Sequence, residues 1–505
     1  MTTRKNIENT LWKACDSFRG KIDSSRYKDY ILSMLFVKYL SDLWKERRAG
    51  FATQYGGDQR RTERAMGREP FVLDESSSFD YLYENRNNAQ IGQKINVALA
   101  AIEEKNGAKL RNVFRSIDFN STVDFGEPRE KNATLKNLLE DFNGLDLSPS
   151  KLESADIIGD AYEWMIHNFA SDAGKKGGEF FTPSQVSELI AKLVSPKEDD
   201  RIYDATCGSG GLLLKVHKEV GTNKVAIYGQ ERNAQTWALC KMNMFLHNIH
   251  DATIWQGDTL ANPQNIENDK LMKFQVVVAN PPFSLDKWDS GFLPDEKTKM
   301  SASLDPWKRF EWAVPPTSRG DFAFVCHMLH SLDDGEGRMG IVLPHGVLFR
   351  GKQEGKIRRQ IIENLNLLDA VIGLPAKLFF GAGTPACILI FKKNRNRSAG
   401  IFFIDASGED NYEKGKNQNV LRPEDIEKIT TTYHNRAIIE KYSYEATFDE
   451  IKDNDFNLNI PRYVDTFEEE EEVDIAAVKA EIASIEVELA EVQAQMAKHL
   501  AKLGV

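Results

Sequence analysis

The chain has 505 residues, 41% of them hydrophobic and 28% charged, with a net charge of −11. That length exceeds one ordinary core and predicts two or three domains of globular composition. The acidic balance argues against a general basic surface that grips nucleic acid, so a DNA substrate would be held largely by a partner. Five dispersed cysteines (Cys15, Cys207, Cys240, Cys326 and Cys387) show no CxxC or Cys/His ligand spacing. They predict a reducing compartment and no structural metal. No run is apolar and long enough to span a bilayer, and MTTRKNIENTLWKACDSFRG lacks the features of a secretion signal. The expectation is a cytoplasmic protein without a membrane partner.

Residues 1–150 read as a helical domain. In YKDYILSMLFVKYLSDLWKE the apolar residues Tyr30, Met34, Val37, Leu40 and Trp44 recur at helical spacing. Residues 151–440 alternate short β-rich runs with helix-like sequence, as in RIYDATCGSGGLLLKVHKEV, KVAIYGQERNAQTWALCKMNMFLHN and FQVVVANPPF. Such alternation predicts an α/β domain, a mostly parallel sheet with helices on both faces, whose ligands collect at the C-terminal ends of the strands. Residues 441–505 form a tail and a last helix. There Val478, Ile482, Ile485, Leu489, Val492 and Met496 follow the alternating three- and four-residue spacing of a coiled-coil seam, which predicts a partner helix.

Four strand ends carry the polar residues of interest. Asp204 opens DATCGSGG, Glu231 ends the next run, Asp258 lies in QGDTL, and Asn280 opens NPPF; the intervals of 27, 27 and 22 residues each suit one strand-helix-strand unit. Gly208, Gly210 and Gly211 would let a ligand approach the backbone and free amides at a helix start. The loop is not GxGxxG in spacing and lacks the GK[ST] of a triphosphate site. Glu231 stands where such folds set a carboxylate against ribose hydroxyls, and Asp258 would suit the amine of an adenine ring. Taken singly, either acid is as readily a strand-end or helix-cap residue.

NPPF narrows the chemistry. An exocyclic amine on a purine is a poor nucleophile because its lone pair is delocalised into the ring. Acceptors that hold both N–H groups favour a more tetrahedral nitrogen. The amide oxygen of Asn280 and the carbonyl of Pro281 could be those acceptors, with the prolines setting their direction and Phe283 stacking on the base. An amine inside a duplex reaches such a pocket only after the base is flipped out.

In order, GGEFFTPSQV, DATCGSGG, YGQERN, GDTL and NPPF resemble the γ-arranged amino-methyltransferases that use S-adenosylmethionine. With RGDFAFVCHMLHSL, GIVLPHGVLFRG, LPAKLFFGAGTPACILIF and DFNLNIPRYV, the chain resembles the modification subunit of type I restriction-modification systems over nearly its whole length. The resemblance implies a Rossmann-like methyltransferase domain flanked by a helical N-terminal domain and a C-terminal coiled-coil-like helix. It places Glu179, Phe180, Phe181, Thr182, Pro183 and Ser184 over the methionine and methyl end of the cofactor. Asp204, Gly208, Ser209, Gly210 and Gly211 would form the cofactor loop, Glu231 the ribose contact and Asp258 the adenine contact. Asn280, Pro281, Pro282 and Phe283 are carried over as catalytic. One departure is Thr206-Cys207, where many members of the wider superfamily have an apolar residue.

The resemblance also implies partners: DNA, a specificity subunit flanked by two modification subunits, and in some systems an ATP-driven restriction subunit. The expected reaction is methyl transfer to the N6 amine of adenine in duplex DNA, which protects host DNA from restriction. Methylation of another planar nitrogen (cytosine N4 in DNA, guanine in RNA, glutamine in protein) stays open, as does a cofactor-fold scaffold with little turnover. Arg60-Arg61 and GKQEGKIRRQ could touch phosphate, although a solvated helix face is the favoured reading of both.

Overall fold

Short runs of β-branched and aromatic residues bounded by polar turns favour strands over helices. In the computed structural model, which describes every residue except 155, 173–180, 296, 380–382, 384, 417, 467–474 and 504–505, nine such runs make one sheet. They are β1 (Arg201–Asp204), β2 (Ala226–Glu231), β3 (Thr253–Gln256), β4 (Val276–Ala279), β5 (Arg338–Pro344), β6 (Leu368–Gly373), β7 (Ala386–Lys392), β8 (Ile401–Asp405) and β9 (Ser443–Ala446). Across the sheet they run β9, β8, β6, β7, β5, β4, β1, β2, β3. Only β7 and β9 are antiparallel to their neighbours. The mostly parallel sheet expected from the sequence is therefore present, with its order reversing between β1 and β4. A crevice opens at that switch point, beyond the C-terminal strand ends.

The sheet is covered on both faces. Alternate side chains of each strand enter different cores, because successive residues point to opposite sides. Ile202, Val276 and Val278 join one core, while Tyr203, Val277 and Ala279 join the other. All four residues of β4 are buried, which explains why its sequence VVVA does not alternate.

The N-terminal part is helical, with α1 (Arg4–Phe18), α2 (Ser24–Gln54), α3 (Ile91–Lys105), α4 (Pro128–Asn143) and α5 (Ile157–Asp172) as its longer elements. On α2 the expected stripe is buried at Tyr30, Met34, Val37 and Leu40, and Trp44 packs against the same core. Three helices follow that bear on the crevice: α6 (Ser184–Val194), α7 (Gly211–Val220) and α8 (Ala234–Leu246). Phe36 of α2 meets Phe245 of α8 edge-on at 5.5 Å, so the helical region and one sheet face share a core. Further along the chain come α9 (Asp321–His330) and α10 (Lys352–Arg359).

The chain divides into two compact units, Met1–Val464 and Asp465–Val505. The second contains one long helix, α11 (Ile475–Leu503). Its stripe from Val478 to Met496 is 41% to 61% exposed. Among the described residues no helix is long and apolar enough to cross a membrane.

Candidate active site

β1 ends at Asp204 and the chain turns through Thr206–Gly210 into α7. Two steps of this turn demand glycine, because Gly208 and Gly210 have φ of +54° and +89°. At Gly210 a Cβ would also come within 2.5 Å of the Met244 methyl and 2.9 Å of the Cys240 sulfur. Cys207, the departure from the apolar pattern, does an apolar residue's work: it is buried, with its Sγ 3.9 Å from that of Cys240. Asn243 of α8 donates its side-chain amide to the Ser209 carbonyl at 2.9 Å, which ties the loop to the neighbouring helix.

The loop, Asp204 and Asn280 converge with Phe181 and Thr182 on one small pocket. Of the other residues expected there, Pro183 is buried at the N-terminal cap of α6 and Ser184 is the exposed first residue of that helix. Glu179 and Phe180 lie outside the described residues.

Three carboxylates line the adjoining strand ends. Asp204 accepts from the Thr206 amide at 2.9 Å. Burial, reinforced by the nearby Glu231 carboxylate, pushes its pKa up to about 8 against the pull of that amide. Glu231 ends β2, and its two oxygens accept from the amides of Gly208 at 3.0 Å and Asn233 at 2.7 Å. Burial raises its pKa too, while those amides favour the charged form. Each of its oxygens keeps a second lone pair for a ligand hydroxyl. Asp258 caps its own turn by accepting from Leu260 and Ala261, and its second oxygen lies 3.6 Å from Arg232.

Asn280 follows β4 directly. Its amide nitrogen donates to the Thr182 hydroxyl at 3.0 Å. Among the described residues its buried oxygen has no hydrogen-bond partner, and neither does the Thr206 hydroxyl on the same pocket. Buried polar atoms are rarely left unsatisfied, and an orphaned acceptor costs about 1–3 kcal/mol, so this pair marks a place for a ligand's donors. Pro281 is buried and Pro282 is half-buried. The half-buried Phe283 ring stands 5.6 Å from Phe379, tilted at 67°.

Three supporting groups carried no assignment in the sequence. Phe379, in LPAKLFF, supplies the second ring; its signal was an aromatic residue just beyond a strand end. Asp321, in RGDFAF, is fully buried and accepts from the Ser284 amide at 2.7 Å and from Arg350 at 2.5 Å, latching the chain just after NPPF. Arg309 is also fully buried. It pairs with Asp305 at 2.8 Å, donates to the carbonyls of Thr259 and Leu260, and donates to His327 Nδ1 at 3.0 Å. His327 Nε2 in turn lies 3.0 Å from the Tyr203 hydroxyl. This network props the turn that carries Asp258. Nothing in WKRFEW announced it, because a charge is expected outside unless its partners are known.

Comparison with known proteins bears on the whole arrangement. Residues 153–472 match the N-6 DNA methylase family, and residues 7–142 match the HsdM N-terminal domain. The chain is 35% identical to the type I restriction enzyme MpnII methylase subunit of Mycoplasma pneumoniae, over 94% of this chain and 91% of that one. It is 32% identical to the MjaVII methylase subunit of Methanocaldococcus jannaschii, over 94% and 80%. The crystal structure of a type I restriction-modification methyltransferase subunit from Streptococcus thermophilus superimposes with a TM-score of 0.80 at 34% identity, over 92% of this chain and all of that one. The sheet order, the pocket at its switch point and these matches agree, and the chain belongs to the N-6 DNA methylases as a methylase subunit of the type I restriction enzymes.

Proposed function

We propose that the chain transfers a methyl group from S-adenosylmethionine to the N6 amine of adenine flipped out of duplex DNA. The observation that carries this reading is the buried oxygen of Asn280, which has no partner among the described residues and whose amide nitrogen is already committed to Thr182. That division leaves the residue purely an acceptor toward the pocket. With the Pro281 carbonyl it would take both protons of an amino group and hold the nitrogen's lone pair toward the donor. Phe283 and Phe379 would clasp the flat base, and Asp321 would keep the chain beyond Phe283 from shifting.

The pocket fits the cofactor on its own chemistry: a tight glycine turn, an orphaned Thr206 hydroxyl and a carboxylate at the end of β2. When bound, S-adenosylmethionine supplies a methyl group on a positively charged sulfur. Asp204 would favour that cation, Glu231 the ribose hydroxyls, Asp258 the adenine amine, and Thr182 and its neighbours the methyl end. Sequence choice would come from a separate specificity subunit between two copies of this chain, with α11 as the docking helix. An ATP-dependent restriction subunit would join in some assemblies. The product would mark host DNA as protected, in the cytoplasm.

Asn280→Ala tests the reading. Transfer of labelled methyl groups to adenine in duplex DNA should fall by at least about 10²–10³-fold, the scale for losing one group that stabilises a transition state. Cofactor binding by calorimetry should stay near that of the parent. Loss of both together would move the reacting site elsewhere, and label in RNA or protein would replace DNA as substrate.

A further inference from the structure

A groove of about 650 Å³ runs between the segment after α3 and the free edge of the sheet at β3. Lys109, Arg111 and Arg115 line one wall, Lys241 of α8 its base, and Trp255 and Gln256 at the end of β3 the other wall. Among the described residues no carboxylate lines it, in a chain whose net charge is −11, and the nearby Glu103 carboxylate accepts from the backbone amides of Asn112 and Phe114. Lys109 donates to the Pro70 carbonyl at 3.0 Å. Arg111 and Arg115 are exposed and make no side-chain hydrogen bond or ion pair with any described residue. Burial lowers the pKa of Lys241, and the neighbouring Lys109 lowers it further. Gathering cations around a half-buried amine without a counter-charge is unfavourable in the free protein, and an anion relieves it.

The basic stretches singled out in the sequence behave differently. Arg350, which immediately precedes the second stretch, pairs with Asp321 and with Glu354 inside it. Arg358 is buried and donates to the carbonyls of Phe456, Val347 and Arg350. Arg359 pairs with Glu363 at 2.6 Å. Arg61 lies 3.4 Å from Asp58. Of those stretches Arg61, Arg358 and Arg359 are spent within the fold or beside an acid, while Arg60, Lys352 and Lys356 are exposed without a side-chain partner among the described residues; what sets Arg111 and Arg115 apart is that they share one groove with Lys109 and Lys241.

Position suggests the ligand. The groove lies at the same strand-end edge as Asn280 and three strands away, because β4, β1, β2 and β3 are consecutive neighbours. At about 4.8 Å between strands, β3 lies about 14 Å from β4. Trp255 is 44% exposed on the edge strand and offers an apolar face beside the cations.

We propose that this groove is a track for the phosphate backbone of duplex DNA, held by Arg111, Arg115 and Lys241 while the target base enters at Asn280. The assignment deepens the methyltransferase reading and rests on it. It puts on the chain itself part of the grip that the overall charge would assign to a partner.

The test is the salt dependence of binding of a labelled short duplex to the full chain, followed by fluorescence anisotropy from low to moderate ionic strength. Each phosphate contact contributes a slope of about 0.9 in log K against log salt, so Arg111→Gln with Arg115→Gln should lower the slope by about 1.8. The double variant should also raise KM for DNA while leaving kcat at saturating DNA and the KM for cofactor unchanged. Trp255 fluorescence should change on adding duplex to the parent. An unchanged slope in a variant that melts like the parent overturns the proposal in favour of another anionic partner, such as an acidic protein surface. So does an absence of binding by the parent at low salt. Asn280→Ala separates the two readings: it should bind duplex with the parent's slope, and if it also retained transfer, the placement of the reacting site would fail while the groove stood.

Discussion

At the two ends of the crevice, hydrogen-bonding capacity is used to different extents. Around Glu231 and Asp258 each carboxylate already holds a turn: Glu231 accepts from Gly208 and Asn233, and Asp258 from Leu260 and Ala261. Around Asn280 and Thr206 two buried oxygens have no hydrogen-bond partner among the described residues. The first end is built whether or not a ligand is present, and its acids shape the loop they sit beside. The second is completed only by what enters. This is the division expected where binding energy is collected at one end and acceptors are held ready for a reacting group at the other.

The contrast is broken most severely by Arg309→Met, which leaves Asp305 buried without its counter-ion and frees the carbonyls of Thr259 and Leu260. A loss of about 3–5 kcal/mol is expected in denaturant unfolding, with weakened cofactor binding in whatever remains folded. A variant as stable as the parent would show that the network is a bystander. Next comes Glu231→Ala, which removes a charged acceptor from two backbone amides. The cofactor Kd should rise about 10–100-fold, corresponding to about 1.5–3 kcal/mol, with kcat little changed at saturation. The opposite split, a lost kcat at unchanged Kd, would exchange the roles assigned to Glu231 and Asn280.

A third test concerns pH. Asp204 has its pKa raised from 3.8 to about 8 in the folded chain. The folded state therefore holds a proton that the unfolded state releases, and the stability this gives is present at acid pH and lost as pH climbs through about 8. Between pH 3.8 and about 8 the melting temperature should fall more steeply in the parent than in Asp204→Asn, which keeps a neutral side chain throughout, and the difference in slope should vanish above about 8. A cationic ligand reverses the preference, so cofactor binding should release a proton below about pH 8. Calorimetry in two buffers of different ionisation enthalpy measures that release, and none at neutral pH would place Asp204 away from the cation.

Much of this was legible because the relevant signals are local. The order of strand, glycine turn and acid could be read from DATCGSGG, YGQERN and GDTL, and the helical stripe of α2 from its spacing. Arg309 was not legible as a buried hub, since His327 and the GDTL carbonyls reach it only in the fold and the Asp305 four residues before it would as readily form a surface pair. Arg111 and Arg115 were passed over for the denser GKQEGKIRRQ, whose arginines proved to have acids and carbonyls around them. Two apolar stripes of similar appearance also ended differently: that of α2 is buried in the core, while that of α11 is exposed within its own unit.

By itself the sequence determined the element types, the parallel sheet and the succession of polar residues at strand ends, because periodicity and turn chemistry act over a few residues. Only the tertiary structure decided which polar atoms are spent and which are free. The Asn280 oxygen is available because Thr182, 98 residues away, takes the other side of its amide, and the groove is cationic because helix, loop and strand edge meet there. Hydrogen-bond satisfaction and charge pairing are properties of neighbours in space, and the sheet order brings those neighbours together.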